Sequence, residues 1–84
     1  MRLYTVYPST QRGKKYSVIV LRDGRPTRIH FGDTSYGQFK DATLYGHWAH
    51  LDHRDERRRK AWYARHGRTT DVDSALFWAA RALW

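Results

Sequence analysis

Eighty-four residues without a cysteine, carrying a formal charge of +8, describe one small domain that neither disulfides nor cysteine-bound zinc can reinforce. A chain of this length buries roughly 60–65% of its unfolded surface, so four Trp, six Tyr and three Phe must supply much of the core, at ~150–250 Å² each. No apolar run has the features of a signal peptide, and none approaches the ~20 residues of a membrane span, so a soluble protein not secreted through a signal peptide is expected. Sixteen Lys and Arg oppose eight Asp and Glu, a balance that favours a polyanionic partner: nucleic acid, an acidic protein face or an anionic surface.

Residues 3–7 form a short apolar run that Pro8 and a polar stretch bring to an end, the pattern of a brief strand. The next segment reads as a β-hairpin. Residues 16–21 and 27–31 are rich in β-branched side chains and flank Asp23-Gly24, the dipeptide that tight hairpin turns favour because both positions need positive φ. Alternation sets Ile29 and Phe31 on one face and Arg28 and His30 on the other. Pro26, without an N–H, belongs at a strand start or an edge.

From Gly32 onward the pattern weakens. Gly37 and Gly46 argue against one long helix, although residues 36–44 have room for a turn or two. A helix is expected over about 54–66. Asp52 or His53 stands near its start, Asp55 and Glu56 occupy the first turn, basic residues follow, and Gly67 stops it, in agreement with the helix dipole. Residues 54–68 hold seven basic and two acidic side chains, a net +5. A last helix, capped by Asp71, Asp73 or Ser74, carries Leu76, Phe77, Ala80, Leu83 and Trp84 as a stripe that packs on the hairpin, with parts of Trp78 and Trp84 left for docking. The expected fold class is therefore α+β, a hairpin or small antiparallel sheet packed against two C-terminal helices through Val18, Val20, Ile29, Phe31, Leu76, Phe77 and Leu83.

Several short pieces recur in one order: "KKYSVIV" at 14–20, Phe31-Gly32-Asp33, His53-x-Asp55, Arg57-Arg58, Trp62, Arg65-His66, and Phe77-Trp78 followed by Leu83-Trp84. In order and approximate spacing this set resembles a family of small, uncharacterised viral and phage proteins over about residues 14–84. Trp62 stands where the family tends to have tyrosine, and the departures are two, an apparent insertion at about 40–52 and no tail after Trp84. The resemblance implies a virus-encoded hairpin-and-helices protein, placed in the host cytoplasm or the virion, and carries no catalytic roles.

Arginine suits phosphate because its planar fork donates two parallel hydrogen bonds and also stacks on rings. At about 100° per residue, Arg57, Arg58 and Arg65 cluster on one side of the helix with Arg54 nearby and Trp62 between them, while Arg59 and Lys60 point elsewhere. Candidate nucleic-acid contacts are thus Arg54, Arg57, Arg58 and Arg65, joined by Lys14, Lys15 and Arg28 of the hairpin, where Arg22 and Arg25 add charge. Trp62 and Tyr63 are candidates for stacking or docking, with Tyr45 and Trp48 behind them, set against the ordinary role of such rings as core. His47, His50 and His53 recur at i, i+3, i+6, but the third lies about 240° around a helix from the first, poor convergence for a metal. Asp52-His53 is one fragment of a His-Asn-His nuclease pattern, yet the chain has no asparagine. No nucleophile or phosphate-loop motif is present, and the close carboxylates Asp52, Asp55 and Glu56 sit where helix capping explains them, so neither an enzyme nor a cofactor is expected. The leading expectation is a non-enzymatic basic protein holding nucleic acid mainly through phosphates, without strong sequence specificity. The alternative is a virion structural or host-factor-binding protein that uses its basic helix and aromatic C-terminus.

Overall fold

Asp23 and Gly24 turn the chain as their chemistry requires, both with positive φ, 51° and 75°. In the computed structural model, which describes residues 1–84, this turn joins β2 (Lys14–Arg22) to β3 (Arg25–Asp33). Pairing runs from Arg22↔Arg25 beside the turn to Lys14↔Asp33 at the far end. Pro26 sits on β3, an outer strand of the β1-β2-β3 sheet, where an absent N–H does least harm. β1 (Val6–Pro8) pairs antiparallel with the other side of β2. Residues 3–7 are not one continuous strand, because Tyr4 takes a φ of 55° and bends the chain. Leu3 is left in an isolated parallel bridge to Ile19, and the ladder runs through Pro8 instead of stopping before it.

Two helices follow, α1 (Glu56–His66) and α2 (Ala75–Leu83), after a single 3-10 turn at Ala49–Leu51. The whole is an α+β fold. Its core joins Tyr16, Val18, Val20 and Phe31 of the sheet to Trp78, Ala82 and Leu83 of α2, with Ile29 and Phe77 at the margin. The expected α2 stripe is met at Phe77, Leu83 and Trp84, but Trp78 and Ala82 enter the core in place of Leu76 and Ala80, which turns the buried face by roughly 100°. Trp78 can be buried because its Nε1–H donates to the Val72 carbonyl at 2.7 Å, which satisfies the polar tip of the indole. Its ring stacks with Tyr4 at 6.4 Å, so Trp78 is not a free docking surface. Ser74 is the cap, its Oγ accepting from the Phe77 N–H at 3.2 Å. No helix is long and apolar enough to cross a membrane.

Apart from the 3-10 turn, the segment 34–55 is held largely by side-chain bonds. Residues 36–44 form no helical turn. Asp41 accepts from the N–H groups of Thr43 and Trp48, at 3.0 and 3.1 Å, and Asp52 accepts from the Asp41 N–H at 2.8 Å. Such bonds divert backbone donors that a helix would use. Gln38, fully buried, donates to Asp52 and to the Trp48 carbonyl, at 2.6 and 2.8 Å. Tyr16 donates to Asp41 across 2.5 Å and accepts from the His47 N–H. Burial and the Asp41 bond push the Tyr16 phenol up to about 12. Burial raises the Asp41 carboxyl, but bonds from Thr43, Tyr16 and Trp48 outweigh it and hold the group below the usual aspartate value.

Candidate nucleic-acid interface

α1 starts later than Asp52 or His53 suggests. Asp52 is committed to Gln38 and Asp41, and Asp55 takes the cap, accepting from the Arg57 and Arg58 N–H groups at 2.9 and 3.4 Å. Gly67, at φ 74°, closes the helix with its N–H on the Tyr63 carbonyl at 2.8 Å. The helix is polar nearly all round, so its attachment depends on few side chains. Trp62, 8% exposed, stacks on Trp84 with ring centres 5.2 Å apart and planes 12° from parallel. Arg59 donates from Nε to the Trp84 carbonyl at 2.8 Å and lies 4.9 Å above the Phe39 ring.

Beyond these tethers α1 stands away from the sheet and leaves a cleft of about 800 Å³. Its floor is apolar: Phe31 of β3, Ala79 and Leu83 of α2, and the Trp62–Trp84 stack. Its rim is cationic. Arg58 and Arg65 stand on the cleft side of α1, two turns apart and hence on one face, and Lys14 faces them from the start of β2. Asp33 is the acidic residue of the lining, and its Oδ1 accepts the Ser35 N–H at 2.7 Å. Arg58 also approaches Asp55 at 3.7 Å with both side chains largely exposed, a pairing worth little in water.

Lys14, Arg58 and Arg65 thus converge on the cleft; Lys15 lines it too, but its ammonium is bonded within the fold, and Arg28, Arg54 and Arg57 lie outside the lining. Lys15, grouped with its neighbour Lys14 on sequence, is 3% exposed. Its ammonium donates to the Tyr36 carbonyl and to Gln38 Oε1, both at 2.6 Å. Burial lowers its pKa, against the pull of Asp33, Asp41 and Asp52. Lys15 is a structural cation that holds the loop, not a solvent-facing phosphate contact. Arg28, alternating with the inward Ile29 and Phe31, lays its guanidinium against the Met1 sulfur outside the cleft. Arg54, at φ 52°, and Arg57 are exposed outside the cleft lining as well.

The aromatic candidates divide differently. Trp62 is part of the stack that fastens α1, with His66 at 4.6 Å as a further neighbour, so its ring faces are committed within the fold. Tyr63 meets Trp62 edge-on and carries the Arg68 guanidinium 4.0 Å over its ring. Tyr45 leans on Tyr16 and His47, and Trp48 on His50. The residue missed on sequence is Tyr36, which lines the cleft and is 70% exposed. The signal was an aromatic set among Asp33, Ser35 and Gly37, turn formers that give a ring nothing to pack under.

The histidines also separate, His47 against Tyr16, His50 against Trp48 and His53 against Trp84. No three His, Asp or Glu side chains are grouped to hold a metal ion. His53 Nδ1 accepts the Asp55 N–H at 2.9 Å, which places the proton of the neutral ring on Nε2, a buried atom without a partner. Burial and then Arg58 lower the His53 pKa, against Asp55 and Asp52. His30, whose Nδ1 lies 2.7 Å from Ser9 Oγ, is lowered by burial, Arg28 and Lys14. Comparisons with protein-family models, curated proteins and solved structures found no match.

Proposed function

We propose that this is a non-enzymatic basic protein that holds nucleic acid chiefly through phosphate contacts, without strong sequence specificity. The observation that carries the reading is the convergence of Lys14 from the sheet with Arg58 and Arg65 from α1 on one apolar-floored cleft. Cations on two sides of a groove suit a backbone that runs between them, and low-dielectric walls strengthen their combined field. The outward Arg54, Arg57 and Lys60 add a diffuse attraction. The resemblance of the ordered sequence pieces to those of small viral and phage proteins supports a virus-encoded origin, with action in the host cytoplasm or the virion.

Three phosphate contacts to a single strand give a slope of about −2 in log affinity against log salt, roughly a 20-fold loss between 50 and 200 mM. The test is anisotropy of labelled DNA and RNA across that range. A slope of −2 or steeper is expected, and weak binding that stays flat across salt overturns the reading.

A second reading, an interaction protein of a virion or host factor, is favoured by a different surface. Leu44 and Tyr45 are exposed beside a groove of about 370 Å³ that Tyr4 and Trp78 also line. Under that reading Leu44→Asp prevents incorporation into purified virions while leaving nucleic-acid affinity unchanged. Incorporation that survives the substitution, or a protein missing from virions altogether, removes its support.

A further inference from the structure

We infer that the cleft takes an unpaired base of a single strand, with Tyr36 as its stacking surface; this rests on the nucleic-acid reading above. Tyr36 is more exposed than any other aromatic in the chain, at 70%. Its backbone, by contrast, is fixed on both sides. The Tyr36 N–H donates to the Asp33 carbonyl at 3.3 Å, and its own carbonyl accepts from the buried Lys15 ammonium at 2.6 Å. The turn therefore uses only the backbone of this residue, and folding gives no reason for a large ring there.

A single exposed aromatic is ordinary. This one lies in the wall of a cleft whose floor is apolar and whose rim bears Lys14, Arg58 and Arg65. An apolar floor does nothing for phosphate, and a cationic rim does nothing for an uncharged apolar ligand. A nucleotide unit satisfies both, its base against the ring and the floor and its phosphates at the rim. The interior base pairs of a duplex cannot do so, because both of their faces are already stacked inside the helix. The volume, about 800 Å³, falls among pockets that enclose small molecules, roughly 300–1,000 Å³, which is the scale of a nucleotide or two. Stacking of this kind is sequence-tolerant, since every base has a π-face, in keeping with binding that reads no sequence. Because the ring is attached to a fixed backbone, little order has to be gained on binding.

Three probes of equal length test the assignment: a single-stranded oligonucleotide, the same strand with abasic sites throughout, and a blunt duplex. Each is titrated against the wild-type protein, Tyr36→Ala and Tyr36→Phe. The intact single strand is expected to bind more tightly than the other two. Tyr36→Ala lowers that affinity roughly 5- to 150-fold, the worth of one stacked base, without changing the salt slope, and Tyr36→Phe keeps it. Abasic and intact strands bound equally by the wild type would overturn the stacking assignment while leaving phosphate-directed binding in place. So would an unaltered affinity in a folded Tyr36→Ala protein. Absence of salt-dependent binding to all three probes would overturn the nucleic-acid reading itself.

Discussion

Trp62→Ala should release α1 while leaving the sheet intact. Trp62 is 8% exposed and stacked on Trp84. At ~150–250 Å² for a buried aromatic and ~25 cal/mol per Å², its burial is worth about 4–6 kcal/mol as an upper bound. Truncations of buried Trp cost about 3–5 kcal/mol in practice. What remains to hold the helix is the Arg59 bond to the Trp84 carbonyl and the Arg59–Phe39 contact, each worth about 1 kcal/mol. A helix of eleven residues does not stay helical alone in water. The core, built from Tyr16, Val18, Val20, Phe31, Trp78, Ala82 and Leu83, does not include Trp62. Opening is thus local. Amide hydrogen exchange read by residue is the assay: protection is expected to collapse over 59–66 and to persist in β2. Protection lost equally in β2 and α1, or retained in α1, would refute the claim that one aromatic stack attaches this helix.

Lys15→Met leaves Gln38 Oε1 and the Tyr36 carbonyl without their donor and should cost about 1–3 kcal/mol in denaturant unfolding, without altering the salt slope of binding; a flattened slope in a stable variant would return Lys15 to the phosphate contacts. Gly32→Ala should destabilise the domain, because φ is +80° and the new Cβ would stand 2.9 Å from Leu83 Cδ1 and 3.2 Å from Lys15 Cβ; an unchanged melting temperature would contradict that close approach. The lowered pKa values of His30 and His53 mean that the unfolded chain binds the extra protons. Their contribution to stability is complete above the ordinary histidine value of about 6.5 and is lost as pH falls through the lowered folded values. Melting temperature should therefore begin to drop below about pH 6.5, before the carboxylates titrate, and the drop should be smaller in a His30→Gln/His53→Gln protein; identical profiles would refute the assignment.

Local chemistry was legible in the sequence and distant partnership was not. Asp23-Gly24 specifies a hairpin within four residues, and the acidic start and glycine stop of α1 lie on that helix itself. The order of 34–55 comes instead from Lys15, Gln38, Asp41 and Asp52, which meet only after the chain has folded. The phase of α2 was hidden because apolar and aromatic residues surround it on most sides, and only the Val72 carbonyl that receives Trp78 singles out the buried face. Lys14 and Lys15 are adjacent cations with the same apparent role and both line the cleft, yet the Lys15 ammonium is bonded to Gln38 and the Tyr36 carbonyl beneath the loop. Tyr36 looked like a loop residue because the cleft beside it forms only when α1 stands off from β3.

The most direct test compares two double variants of α1 in one salt titration on single-stranded nucleic acid. Arg58→Ala/Arg65→Ala removes two cleft-facing cations and should lower the slope by about 1.4. Arg57→Ala/Lys60→Ala removes the same charge from positions outside the cleft lining and should change the slope much less. Equal flattening in both variants would contradict the account, because the helix would then act as an undirected basic rod and the cleft would have no part in binding.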